Sequence, residues 1–386
     1  MKALFIASLV TVAVAGAPQA GAADIELMTQ NQYLGADIAP LVEPGLTPPE
    51  FFQRVATALQ QVASNKPQER FAALAAEIDG RRPHLVGLQE VFSFECTPLT
   101  AINGCLVPFI AAATNDHLQG TLDALDGGYR VVAEVENLNV GLPLYLEPEV
   151  GVLITVLDRD VILARADVPA QALAIPCPRP SMDGCNYVAV APVPSLGINV
   201  ERGYVAAQAL VEGQPHIFVN THLETREPVS FFQAAQASEL VSVIGGLKQF
   251  GPTVLVVGDF NSAANDPIYV PNGPDAPPPP PALDDGSGNW IPVPNPYVQL
   301  TAALMRDVWL DRPGNVAGLS CCQAADLSNH RSQLYERIDL IWSSVLPDKV
   351  KQARVEGDTV NTKTRPPGLG LWASDHGSVA ATLQFR

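Results

Sequence analysis

Two histidines and a handful of acids stand out in this chain for where they fall. Asp259 and Asn261 lie two apart, just behind the apolar run Thr253 to Val257. In extended chain that spacing puts both side chains on one face. There a carboxylate can align or deprotonate water, and an amide can donate to an anionic oxygen. Asp375 and His376 are adjacent, and His222 follows another apolar run. An imidazole passes protons near neutral pH when its second ring nitrogen is held by a partner. Glu90 and Asp339 also stand at, or just past, strand-like runs. Carboxylate oxygens of this kind suit Mg²⁺, which takes one or two of them and keeps several waters. Alone, each of these residues reads as a solvated strand end or a turn; together they read as a site. The other histidines, His84, His117, His216 and His330, are read as structural.

Such groups cooperate only if rigid elements carry them to one mouth of the fold. Ile25 to Thr29, His84 to Leu88, Tyr129 to Val135 and Gly151 to Leu157 have strand character, as do Thr253 to Val257, Arg337 to Trp342 and Ser378 to Phe385. Tyr204 to Val211 and His216 to Asn220 read as two strands joined by the turn Glu212-Gly213-Gln214-Pro215. Helical spacing of apolar residues predicts helices over Glu50 to Ala63, Gln68 to Ile78, Phe109 to Leu125 and Val229 to Leu247. Alternation of the two element types indicates an α/β or α+β protein. Residues 262–297 read as a Pro-rich surface insertion around Pro277 to Pro281. The segment Asn139 to Val150, with Leu142, Leu144, Tyr145 and Leu146, reads either as an apolar lip beside the site or as a packed loop.

Six short motifs follow one another in order. They are Met28-Thr29-Gln30-Asn31, Gly87-Leu88-Gln89-Glu90, Asn220-Thr221-His222-Leu223, Gly258-Asp259-Phe260-Asn261, Arg337-Ile338-Asp339-Leu340-Ile341 and Ser374-Asp375-His376. In this order they resemble the endonuclease/exonuclease/phosphatase superfamily, which spans pancreatic-type DNases, abasic-site endonucleases, bacterial sphingomyelinases and inositol polyphosphate phosphatases. The resemblance implies a four-layered α/β sandwich, with two packed, mixed, mostly antiparallel sheets flanked by helices. It implies hydrolysis of a phosphoester with Mg²⁺, for which Mn²⁺ can substitute. Glu90, Asn31 and Asp375 are then the expected metal ligands. His376, oriented by Asp339, works with Asp259 on the water, while His222 and Asn261 attend the phosphate. Arg202, in an Arg-Gly pair before a strand, is a further candidate phosphate contact, and Arg337 is read as structural.

The chain also departs from some branches. Ser262-Ala263 follows Asn261 where inositol polyphosphate phosphatases usually have Tyr-Arg, and Tyr335 to Asp339 replaces their Trp-Cys-Asp-Arg segment. Abasic-site endonucleases lack the Thr-His-Leu histidine seen here as His222. The Asn31 to Asp37 stretch resembles a secreted bacterial branch. A phosphodiester is the expected substrate, either a phospholipid headgroup or nucleic acid. A phosphomonoesterase and a non-catalytic exported binding module are the alternatives.

Bulk composition agrees with a globular protein: 47% hydrophobic and 16% charged over 386 residues. A net charge of −17 weighs against non-specific nucleic-acid binding, which relies on Lys and Arg. Lys2, the uncharged stretch Ala3 to Ala17 and the small residues Ala20-Gly21-Ala22 read as a signal peptide over residues 1–22. One domain over 23–386, secreted or periplasmic, monomeric and without a transmembrane segment, is the expectation. In that compartment the six cysteines suggest disulfides. Short spacings suggest Cys96–Cys105 and Cys177–Cys185, leaving adjacent Cys321 and Cys322 either bridged or reduced.

Overall fold

Strand β1 (Ala23–Asn31) shows how the layers arise. Side chains alternate across a strand. Ile25 and Leu27 therefore enter a core shared with the facing sheet, while Met28 turns outward beneath a helix. The computed structural model describes residues 23–386 apart from 42, 44, 194–197, 227–229, 267–293 and 366–369. The expected leader over residues 1–22 and the Pro277 to Pro281 run lie outside the described residues.

Helices α1 (Pro48–Ser64) and α2 (Pro67–Arg81) follow β1. Prolines at the first helical positions pre-set the backbone where no N–H partner is needed. Phe71, Leu74, Ala75 and Ile78 are buried along α2, as their spacing predicts. Strands β2 (Leu85–Gln89) and β3 (Ser93–Pro98) come next. The expected helix from Phe109 to Leu125 is instead two, α3 (Pro108–Ala113) and α4 (His117–Ala124). Asn115–Asp116 pairs with β3 between them, and Asp116 caps α4 by accepting from Leu118 N–H at 2.8 Å.

The next two strands are far longer than expected. β4 (Tyr129–Glu147) and β5 (Val150–Arg165) form one extended hairpin. Asn139 to Val150 is thus the far half of that hairpin and not a loop. Strands β6 (Gly203–Val211) and β7 (Gln214–His222) turn at Glu212-Gly213 as read from sequence. Helix α5 (Ser230–Leu247), β8 (Thr253–Asp259) and α6 (Pro296–Ala302) follow. Helix α6 occupies the end of the stretch expected to be loop. β9 (Asp339–Ser343), β10 (Lys349–Glu356) and β11 (Ser378–Phe385) complete the frame.

Among the described residues there are two eight-stranded sheets. One runs β10–β11–β1–β2–β5–β3, with β4 on β5; the other contains β9–β8–β7–β6. β1–β2 and β7–β8 are parallel, and most other pairings are antiparallel. The sheets pack face to face through Ile25, Leu85, Ile162, Val205, Phe218 and Leu255. Helices α2 and α4 cover one outer face, and α5 and α6 the other. This is the expected four-layered sandwich.

The two sheets are also joined by a buried polar bridge that explains part of a motif. Asn220 Nδ2 donates to Leu88 O (2.8 Å) and Val161 O (3.1 Å) on the opposite sheet. Gln89 Nε2 donates back to Asn220 Oδ1 at 2.6 Å. A Cβ on Gly87 would stand 2.5 Å from that same Asn220 oxygen, so only glycine leaves room for the bridge. Three disulfides, Cys96–Cys105, Cys177–Cys185 and Cys321–Cys322, account for the six cysteines. No helix among the described residues is long and apolar enough to cross a membrane.

Candidate active site

Every strand that carries a motif residue delivers it to the same end of the sandwich. Asn31 closes β1, His222 closes β7, Asp259 closes β8 and Asp339 opens antiparallel β9. The register places His222 beside Asp259 and Asp259 beside Asp339. Glu90 and Asn261 lie just beyond β2 and β8, both in the left-handed region at φ 53° and 47°. For a non-glycine residue that conformation costs roughly 1–2 kcal/mol, so local contacts must hold it. Glu90 accepts from Leu34 N–H at 2.8 Å, and Asn261 N–H donates to Asp259 Oδ1 at 2.8 Å.

Asp339, His376 and Asp259 form a row. His376 Nδ1 lies 2.8 Å from Asp339 Oδ2, and since an ionised carboxylate only accepts, Nδ1 carries the proton. His376 Nε2 faces Asp259 Oδ2 at 3.7 Å. Burial alone would lower the His376 pKa. Asp339, then Asp259 and Asp375, outweigh it and hold the ring well above the ordinary histidine value. Burial foremost, then Asp339, pushes the Asp259 carboxyl up to about 7, while His376 opposes the shift.

His222 sits on the other side of Asp259, its Nε2 3.6 Å from Oδ2. Arg202 Nη1 lies 3.1 Å from His222 Nδ1. A guanidinium can only donate, so Nδ1 is placed to accept from Arg202, while Nε2 lies 3.2 Å from the amide nitrogen of Asn261, which also donates to Leu223 O at 2.9 Å. Burial, then the charges of Arg202 and His376, keeps His222 well below the ordinary value and therefore neutral. Arg202 also reaches Glu224 Oε1 at 3.5 Å. Its clearest contact is thus to His222, in addition to its exposure to the cavity described below. Arg337 pairs with Asp307 at 2.7 Å, in keeping with a structural role.

The expected metal ligands gather beside this row. Asn31 Oδ1 is taken by Tyr33 N–H at 2.9 Å, which fixes the orientation of the amide. Its nitrogen donates to Glu90 Oε1 (3.3 Å) and Asp259 Oδ2 (3.1 Å). Asn31 therefore clamps two carboxylates together, and its amide oxygen keeps a second lone pair. Asp375 is raised to about 6, by burial first and with Glu90 adding to it against His376.

Sequence reading missed two further acids. Asp158 and Asp160 on β5 are buried, each with one carboxylate oxygen lacking a hydrogen-bond partner. Burial foremost raises Asp158 to about 7, with Arg202 opposing and Glu90 adding. The signal was present: two acids at a spacing of two inside an otherwise apolar strand must share one face. Glu90, Asp158 and Asp160 crowd around Arg202, and Asp375 stands near His376 and the buried guanidinium of Arg70, whose hydrogen bonds go to the carbonyls of Gln32, Tyr33 and Ala373. An excess of hard oxygen donors over cations is the donor set that Mg²⁺ or Mn²⁺ fits. Asp259, Asp339 and His376 also lie close enough to share an ion. Within that trio His376 Nδ1 is bonded to Asp339 at 2.8 Å, and Nε2 is turned toward Asp259.

No protein-family model matches this chain, and no curated protein matches it by sequence. Solved structures do. An endonuclease/exonuclease/phosphatase family protein from Bacteroides thetaiotaomicron aligns over 95% of this chain and 99% of its own at TM-score 0.51 and 14% identity. One from Beutenbergia cavernae aligns over 94% and 72% at TM-score 0.49 and 18% identity. TDP2 of D. rerio, solved with a single-strand DNA product, aligns over 93% and 98% at TM-score 0.47 and 14% identity. The chain has the endonuclease/exonuclease/phosphatase fold.

Proposed function

We propose that this chain is an extracytoplasmic, divalent-cation-dependent hydrolase of phosphodiesters. The observation that carries the reading is the convergence of the Asp339–His376–Asp259 row, His222 and Asn261 at the mouth where Glu90 and Asp375 gather. Asp259, with a carboxyl that ionises near neutral pH, aligns the attacking water and takes its proton. His376, fixed by Asp339, holds its Nε2 toward the same point. His222 and Asn261 attend the phosphate oxygens together, Asn261 through its amide N–H. Arg202 holds the His222 ring in place. Glu90 and Asp375 hold the cation, which when bound neutralises charge on the phosphate. The expected leader and the disulfides support placement outside the cytoplasm.

The test uses protein stripped with EDTA and given methyl 4-nitrophenyl phosphate or 4-nitrophenyl phosphate, with and without Mg²⁺. Release of 4-nitrophenol from the diester only with the cation is expected. Preference for the monoester would favour the phosphomonoesterase alternative. Absence of turnover of either ester with Mg²⁺ or Mn²⁺ would overturn the reading.

A further inference from the structure

A cavity of about 350 Å³ opens directly off the site, between α1 and the far half of the β4–β5 hairpin. Its two ends differ in chemistry. Glu90, Asp158, Arg202 and Asp375 line the inner end, where Arg202 touches His222. The rest of the wall is almost wholly apolar. Strand β5 contributes both halves: Ile154 and Val156 face the cavity, and the next two residues on that face are Asp158 and Asp160. Leu138, Val140 and Leu142 line it from β4, opposite their partners Asp158, Val156 and Ile154. Across from them, Val55, Ala58, Leu59 and Val62 stand on one stripe of α1. Away from the inner end the polar groups are Tyr33, whose hydroxyl donates to Ala325 O at 2.8 Å, and exposed Asp37 at the outer rim.

Protein interiors close-pack, and voids much larger than a water are few. A void of this size that joins a reactive centre is the usual form of a ligand pocket. Its walls offer water few partners, so ordered water is a poor occupant. They offer equally little to the polar edges of a nucleobase. The acids at the inner end and the net charge of −17 disfavour a polyanionic strand. An uncharged hydrocarbon chain attached to a single phosphate satisfies both ends at once.

We propose that this cavity is a substrate subsite for one apolar chain, so that the substrate is a phosphodiester bearing an alkyl or acyl chain next to the reacting phosphate. The proposal rests on the phosphodiesterase reading and names its substrate class. The test is a homologous series of methyl, butyl, octyl and dodecyl 4-nitrophenyl phosphates, each used below its micelle-forming concentration with Mg²⁺. kcat/KM is expected to rise by on the order of 2- to 4-fold per methylene until the cavity is full. Ala58→Phe, which fills the cavity, is expected to cut the octyl-to-methyl ratio at least about ten-fold, reversing that per-methylene gain. Ala58→Leu serves if the larger side chain prevents folding.

Calorimetry in EDTA supplies a readout free of turnover. Octyl phosphate is expected to bind with a negative heat-capacity change, and methyl phosphate to bind far more weakly. A flat series with cation-dependent methyl ester turnover would overturn the subsite and leave the phosphodiesterase reading standing. So would plasmid DNA cleavage accompanied by a flat series. Octyl phosphate binding that Ala58→Phe abolishes, with no ester turned over, would support the subsite and sink the enzymatic reading. Neither binding nor turnover would sink both.

Discussion

At the scale of single residues, the site is a set of protons whose positions follow from who can donate. Arg202 and Asp339 are one step removed from the phosphate, yet each holds an imidazole: Arg202 donates to His222 Nδ1, and Asp339 accepts from His376 Nδ1. Asp339→Asn keeps the shape but loses the charged acceptor, so His376 loses both the partner that orients its ring and the chief charge that raises its pKa. The expected outcome is a kcat lower by about 10²- to 10⁴-fold with KM little changed. Steady-state kinetics on the methyl diester checks it; a KM effect alone would mean that Asp339 is merely structural. The residues singled out in the sequence come together in the fold, and acids and histidines at strand ends have few other reasons to cluster. The spacing of Asp158 and Asp160 puts them on one face but does not say which, since an acid inside a strand is ordinarily solvent-facing, and only tertiary packing buries these two. The direction of the Asn31 amide is set by Tyr33 N–H, a contact invisible in one dimension.

At the scale of elements, local pattern and long-range pairing contribute unequally. Helices α1 and α2 and strands β6 to β8 match their hydrophobic periodicity because each buries one continuous face. The β4–β5 hairpin runs well past the apolar core signal, through Gly141, Pro143 and alternating polar residues. Its far half is held by pairing with β5 and by packing on α1, not by propensity. Similarly, Asp116 splits the expected helix over Phe109 to Leu125 because it caps a new one. The Gly87 motif position is structural: it lets Asn220 cross between the sheets directly behind Glu90. Gly87→Ala forces a methyl into that bridge, which overpacking studies place at about 1–3 kcal/mol of destabilisation. A lower denaturation midpoint in urea with unchanged slope is the expected result. A variant as stable as the parent would show that the inter-sheet contact is looser than its geometry implies.

At the scale of the whole molecule, buried acids dominate the pH response. Burial foremost lifts the carboxyls of Asp158, Asp259 and Glu77 to about 7, against values near 4 in an unfolded chain. An acid raised on folding contributes stability that is whole below its unfolded pKa and is lost as pH rises through its folded value. His117, His216 and His222, lowered by burial, act the other way until about pH 6.5, where unfolded histidines lose their protons. Above that point only the raised groups still change. The cation-free protein is therefore expected to melt at falling temperature from about pH 6.5 to 8, measured by scanning calorimetry in EDTA. Mg²⁺ should flatten the trend by supplying the missing positive charge. A Tm that climbs over that interval without cation would contradict the burial of these acids. The most direct measurement of the central claim is the Mg²⁺-dependent rate on methyl 4-nitrophenyl phosphate for the parent and for Asp259→Asn. Removal of the base should lower kcat by about 10²- to 10⁴-fold, with the fold intact and Mg²⁺ still bound in calorimetry. A folded, cation-loaded Asp259→Asn protein that turns over at the parent rate would contradict the claim that this cluster is where the ester is cut.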